Sequence, residues 1–279
     1  MGKLGRAGSP SGCQHLQDRQ TLHQATWRFT CNERIHIPEA MQGPLPWLFR
    51  QRRCWKKHPL VVSTDWTKVR SFHTLMLATV VRGRALPLLW ESYQEGKLPK
   101  SQNYLEERLL RVLRTLVPSW VEVIVVADRG FGRTELARTC QKLGFHYVLR
   151  IQPKVYIDHR HYRGRLDRFP VARGSSLLLV DVLFRKSEPV KHHVAICWPK
   201  SLPQHRDECW YLMTDLAYSV QEITKLYARR MTVEGLFRDA KNRRYGRGYR
   251  GTLITHGDLY HHSCQLIGAL ATDSCIGVS

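Results

Sequence analysis

Acidic side chains are scarce in this 279-residue chain: 23 Asp and Glu stand against 44 Lys and Arg. The resulting formal charge of +21, with an isoelectric point near 10.0, repels itself in a compact state and calls for a polyanionic partner. Long apolar runs are also missing. No stretch of eighteen apolar residues occurs, and residues 1–40 are too polar for a signal peptide. Neither a lipidation motif nor a basic amphipathic helix with a wide apolar face is found, so a membrane surface suits the charge less well than nucleic acid. The eight cysteines (13, 31, 54, 140, 197, 209, 264 and 275) include no C-x-x-C pair, which argues against a zinc ribbon and a disulfide framework. These absences together read as a soluble, intracellular protein that binds nucleic acid.

Among the few acids, two have unusual surroundings. Leu60-Val61-Val62-Ser63-Thr64-Asp65 and Val123-Ile124-Val125-Val126-Ala127-Asp128 are apolar, β-branched runs that each end on an aspartate. Such runs predict buried strands, with both carboxylates delivered at strand ends in a core sheet. A carboxylate there is costly unless a cation compensates it. Further along, Tyr227, Arg230, Glu234 and Lys241 recur at gaps of three, four and seven residues. On a single helix these side chains fall within an arc of roughly 60°. One face would then carry a carboxylate beside two cations and a phenol, which suits a metal ligand among phosphate binders; an ordinary solvated face is the plainer alternative. Asp65, Asp128 and Glu234 form a candidate three-carboxylate site. With no His or Cys near them, these oxygen donors select Mg²⁺ or Mn²⁺ over zinc.

Tyr227-x2-Arg230-x3-Glu234-x6-Lys241 resembles the Y-R-E-K signature of bacterial insertion-sequence transposases, the IS-four family of DDE enzymes. Asp128-Arg129-Gly130-Phe131 is similar to that family's second-aspartate motif, and the segment from Lys241 to Gly246 to the one that follows the signature. The resemblance implies an RNase H-like α/β fold: a mixed five-stranded sheet flanked by helices, with a β-rich insertion before the last catalytic helix. It also implies metal-dependent cleavage at transposon ends and strand transfer into target DNA. Two divalent ions would serve that chemistry, Asp65 bridging both while Asp128 and Glu234 each hold one. Tyr227, Arg230 and Lys241 would clamp the strand, Trp210 would stack on a displaced base or pack in the core, and Arg243 and Arg244 would track phosphates. The implied partner is double-stranded DNA, bound by a homodimer, in the bacterial cytoplasm at the nucleoid. An RNase H-fold nuclease without strand transfer, or an inactive DNA-binding remnant, shares many of these features.

The pattern along the chain agrees with that order. Residues 1–59 lack clear periodicity and read as a poorly ordered or remnant DNA-binding region; the basic run from Arg50 to Lys57 is interleaved with Trp55. Strands are expected at 60–65, 74–81, 85–90, 121–128 and 146–150, with helices over 105–116 and 133–143. Residues 60–150 and 210–279 make the catalytic core in this reading. Residues 151–209 form an insertion subdomain with two β-rich runs, approached by Arg160, Arg163, Arg165, Arg168 and Arg173. One further helix is expected over 259–270.

Overall fold

The β-branched runs of the sequence become the centre of a large sheet. A computed structural model describes residues 44–241 apart from 51, 70–71, 82, 185–189 and 201–208. The chain divides into two units, 41–252 and a second built from 1–40 with 253–279, and every described residue belongs to the first. The expectations for residues 1–40, for Arg243 and Arg244, and for a helix over 259–270 lie outside the described residues, as does the Lys241 side chain.

Two short helices, α1 (Pro44–Phe49) and α2 (Arg52–Lys57), lead into the sheet. Trp55 donates its indole N–H to the Leu48 carbonyl at 2.7 Å and packs edge-on against Phe49, so it serves as a lead-in to the core. Strands β1 (Leu60–Val69), β2 (Phe72–Val81) and β3 (Arg84–Gln94) form the expected antiparallel meander. Then come α3 (Gln102–Leu116), β4 (Val123–Ala127), α4 (Thr134–Lys142) and β5 (His146–Arg150). Strand β4 lies parallel between β1 and β5, which gives the order β3-β2-β1-β4-β5.

The sheet does not stop at five strands. Four strands follow β5: β6 (Tyr156–His159), β7 (Tyr162–Arg165), β8 (Ser176–Phe184) and β9 (His192–Cys197). With β10 (Trp210–Thr214) they continue it in the order β10-β9-β8-β6-β7, because β10 pairs antiparallel with β5. Ten strands therefore form one mixed sheet. The hairpin β6–β7 falls where the sequence showed only an arginine-rich approach.

Alternation along each strand sorts side chains to two faces. Leu60, Val62, Val123, Val125, Tyr147 and Leu149 share a core with α3 and α4. Val61, Ile124, Val126 and Val148 face the opposite way, against α5 (Val220–Ala228). Helix α5 starts on a capping box, in which Ser219 and Glu222 satisfy each other's backbone N–H groups. The last described helix, α6 (Arg230–Lys241), lies over β1, β2 and β3.

Candidate active site

Asp65 does not end its strand, contrary to the sequence reading. Strand β1 runs on to Val69 because β2 pairs with it from Val62 to Val69, Asp65 opposite Met76. The parallel ladder with β4 does stop there: its last pair is Thr64 with Ala127. Asp65 is the next residue on β1 and Asp128 the first after β4, so both emerge where the β1–β4 ladder opens. Tyr227 and the other signature residues are not on one helix either. Helix α5 ends at Ala228 and α6 begins at Arg230, with Arg229 between them. Tyr227 thus belongs to α5, and Arg230, Glu234 and Lys241 to α6.

Arg230 joins the three acids. Its Nη1 donates to Asp65 Oδ2 at 3.2 Å, and its Nη2 donates to Glu234 Oε1 at 2.5 Å and lies 3.5 Å from Asp128 Oδ2. The guanidinium side chain is only 4% exposed, whereas Asp65, Asp128 and Glu234 are 21, 35 and 46% exposed. The carboxylates therefore form a rim open to solvent around a buried cation. Tyr227, fully buried, donates its hydroxyl to Asp128 Oδ1 at 3.0 Å. Trp210 meets the Tyr227 ring edge-to-face at 5.0 Å, and it packs against the core below α5. Tyr227 and Arg230 both turn inward to the acids, and Trp210 supports the phenol.

Electrostatics separate the two aspartates. Burial pushes Asp65 up to about 6; Arg230 and the Trp66 backbone N–H oppose this, and Glu234 and Asp128 add to it. Burial also acts upward on Asp128, but the Arg129 backbone N–H, Arg230, Tyr227 and Arg150 outweigh it and hold that carboxyl below its usual value. Arg230 is raised: burial works against its charge, and Tyr227 with the three acids more than offsets this.

Among the described residues, no three His, Cys, Asp or Glu side chains are close enough to hold one metal ion as they stand. The guanidinium of Arg230 lies between the carboxylates instead. The donor set nevertheless fits a hard divalent cation: all oxygen, from three chain segments, gathered on one solvent-open rim.

One cation of the site escaped the sequence reading. Arg150 ends β5, and because Ala127 pairs with Leu149, Arg150 is the register neighbour of Asp128. Its Nη1 lies 3.8 Å from Asp128 Oδ1, while its buried Nε and Nη2 make no hydrogen bond. The available signal was position alone, a basic residue closing the strand beside the second aspartate's strand.

The family model described as "Transposase DDE domain" matches residues 53–250, which include the whole of this site. The chain belongs to that family. Membership in the DDE transposase domain makes it a phosphoryl-transfer protein that acts on DNA, in keeping with its charge of +21. No curated protein matches the chain. The solved structures similar to it include human ENDOV, at 12% identity and a TM-score of 0.31, covering 82% of this chain and 98% of that one. The catalytic domain of human Endonuclease V carrying four cysteine substitutions is similar at 13% identity and a TM-score of 0.29, covering 80% and 88%.

Proposed function

We propose that this DDE transposase domain is an insertion-sequence transposase of the IS-four family, which cuts DNA at the element's ends and joins them to target DNA. The observation that carries the reading is the convergence of Asp65, Asp128 and Glu234, from β1, the β4 end and α6, on one buried guanidinium. A solvated charged face would not bury its arginine among acids from three segments. Asp65, Asp128 and Glu234 would hold Mg²⁺ or Mn²⁺, two ions in all. When bound, those ions supply an activated oxygen nucleophile and charge relief at the leaving 3′ oxygen.

The protein's own residues position the substrate. Tyr227 fixes the Asp128 carboxylate through its hydroxyl, and Arg150 supplies positive potential on the other side of that carboxylate. Arg230, buried among the three acids, orients them from beneath, while Lys241 orients the scissile strand and Arg243 and Arg244 extend the phosphate contacts along it. Water attacks the phosphorus first and the 3′ oxygen leaves as a hydroxyl; that hydroxyl then attacks a target phosphodiester, whose own 3′ oxygen leaves as a hydroxyl, so each step breaks one P–O bond for the one it forms. DNA is held by a homodimer in the cytoplasm, at the nucleoid. Residues 151–209 act as an insertion whose arginines face DNA.

Replacing Asp65 or Asp128 by Asn, or Glu234 by Gln, is expected to abolish metal-dependent nicking of end-bearing DNA while binding persists. Strand transfer from a pre-cut end then separates a transposase from a nuclease that only hydrolyses. Full cleavage by any one variant would remove that residue from the site.

A further inference from the structure

Behind the sheet, on the face opposite Arg230, stands a buried acid that the chemistry above does not use. Glu106 lies on the inward face of α3 with Leu105, Leu109, Leu110 and Leu113, and is 5% exposed. An acid placed there needs partners for both oxygens, and it has them. Trp66 donates its indole N–H to Oε1 at 2.7 Å, and Arg133 donates from Nη1 to Oε2 at 2.6 Å. Arg133 is steadied in turn by the Asn103 carbonyl at 3.3 Å.

The two donors are telling. Trp66 follows Asp65 directly on β1, and its side chain points to the α3 face while that of Asp65 points to Arg230. Arg133 closes the short loop that Asp128 opens. Phe131 N–H bonds the Asp128 carbonyl at 2.9 Å and Arg133 N–H bonds the Phe131 carbonyl at 2.8 Å, so the loop is braced from one end to the other. Past Thr64 and Ala127 no ladder bond joins the two segments. Glu106 spans them at that point, one oxygen to each.

We infer that Glu106 is a positioning residue, which sets the separation of Asp65 and Asp128 by gripping Trp66 and Arg133 from behind the sheet. This rests on the reading of those aspartates as the metal-holding acids. A carboxylate with two equivalent acceptors suits the task. Glutamine has one acceptor and one donor group, and would leave one of the two straps facing a donor.

The test uses the full chain and two variants, Glu106→Gln and Trp66→Phe, with Asp65→Asn in parallel. Single-turnover cleavage is expected to fall about 10- to 100-fold, the scale of a small misplacement of reacting groups. The Mg²⁺ concentration for half-maximal cleavage should rise, because Mg²⁺ tolerates little departure from its ideal geometry, while DNA affinity stays within about twofold. Backbone amide resonances of Asp65 and of residues 128–133 should shift together in both variants, in protein free of metal and DNA. If the variants cleave like wild type with an unchanged Mg²⁺ requirement while Asp65→Asn is inert, the positioning role is overturned and the assignment of the acids stands. If wild type itself fails to cleave, that assignment falls. The amide shifts then still decide whether Glu106 couples the two segments: movement confined to α3 overturns it. Should Glu106→Gln not fold, Trp66→Phe, which removes one strap and keeps a ring, carries every comparison.

Discussion

A single arginine decides what the site can hold. Arg230 compensates three carboxylates at once, so removing it leaves them to repel one another. Loss of a buried partner of this kind costs about 3–5 kcal/mol in a dry interior; with Asp128 and Glu234 open to solvent, ~2 kcal/mol is the expected loss for Arg230→Ala. Mg²⁺ should restore that stability, and should raise the melting temperature of Arg230→Ala more than that of wild type, because the added ion no longer competes with a guanidinium. Equal shifts would mean that ion and arginine do not share a place. The same variant should cleave at least about tenfold more slowly, the scale of one charge-assisted contact, with Arg230→Lys only partly recovered. Arg229 is exposed between the two helices, so Arg229→Ala should be mild in both assays.

At the scale of the element, the loop from Asp128 to Arg133 is held against β5 by the absence of a side chain. A Cβ on Gly132 would sit 2.2 Å from the Arg150 carbonyl oxygen and 2.9 Å from the Ile151 Cα, both backbone atoms. Gly132→Ala should therefore push the loop off β5, with a stability loss of about 1–3 kcal/mol and slow cleavage. Gly130→Ala meets open space and should fold normally. Denaturant melts of the pair check this, and equal midpoints would refute the close approach. The elements that were legible in the sequence owe it to local signals. Strands β1 and β4 announce themselves by β-branched runs, and α3 by leucines at helical spacing. The extension of β1 past Asp65 was hidden because it is imposed by pairing with β2. The break at Arg229 was hidden for the opposite reason: its φ of −58° and ψ of −26° remain helical, and no Gly or Pro marks it. Strands β6 and β7 are four residues each and carry charges, too short for a period to show.

For the molecule as a whole, one buried and one half-buried group set opposing pH responses. His192, 1% exposed, accepts or donates a 2.6 Å hydrogen bond with the Tyr147 hydroxyl, and burial lowers it to about 4. Between pH 6.5 and 4 the unfolded chain binds the proton and the folded chain does not. Stability attributable to His192 is thus complete above pH 6.5 and falls by roughly 3 kcal/mol as pH drops to 4. Asp65, raised to about 6, works in reverse: the folded state holds its proton below pH 6, so this group adds stability as pH falls to 4. The two largely offset in wild type. Asp65→Asn should uncover the His192 slope, losing stability relative to wild type between pH 6 and 4. Urea melts at pH 4.5, 5.5 and 6.5 in chelator test it, and parallel curves for the two proteins would contradict it. Of the groups that meet in the candidate site, the three acids, Tyr227 and Arg230 stood out in the sequence by spacing and surroundings, and Arg150 did not. The acids' shared dependence on Arg230 was not legible there, since it requires three distant segments to meet.

The uninterrupted sheet has a metric consequence. From β4, which delivers Asp128, to β7, with Arg163 and Arg165, there are six inter-strand steps in a hydrogen-bonded series. At about 4.8 Å each, the span is roughly 29 Å before twist shortens it. That is the rise of about eight or nine base pairs of B-form DNA. The hydrogen-bonded strands act as a ruler, fixing the offset between the carboxylates and the arginine-bearing hairpin.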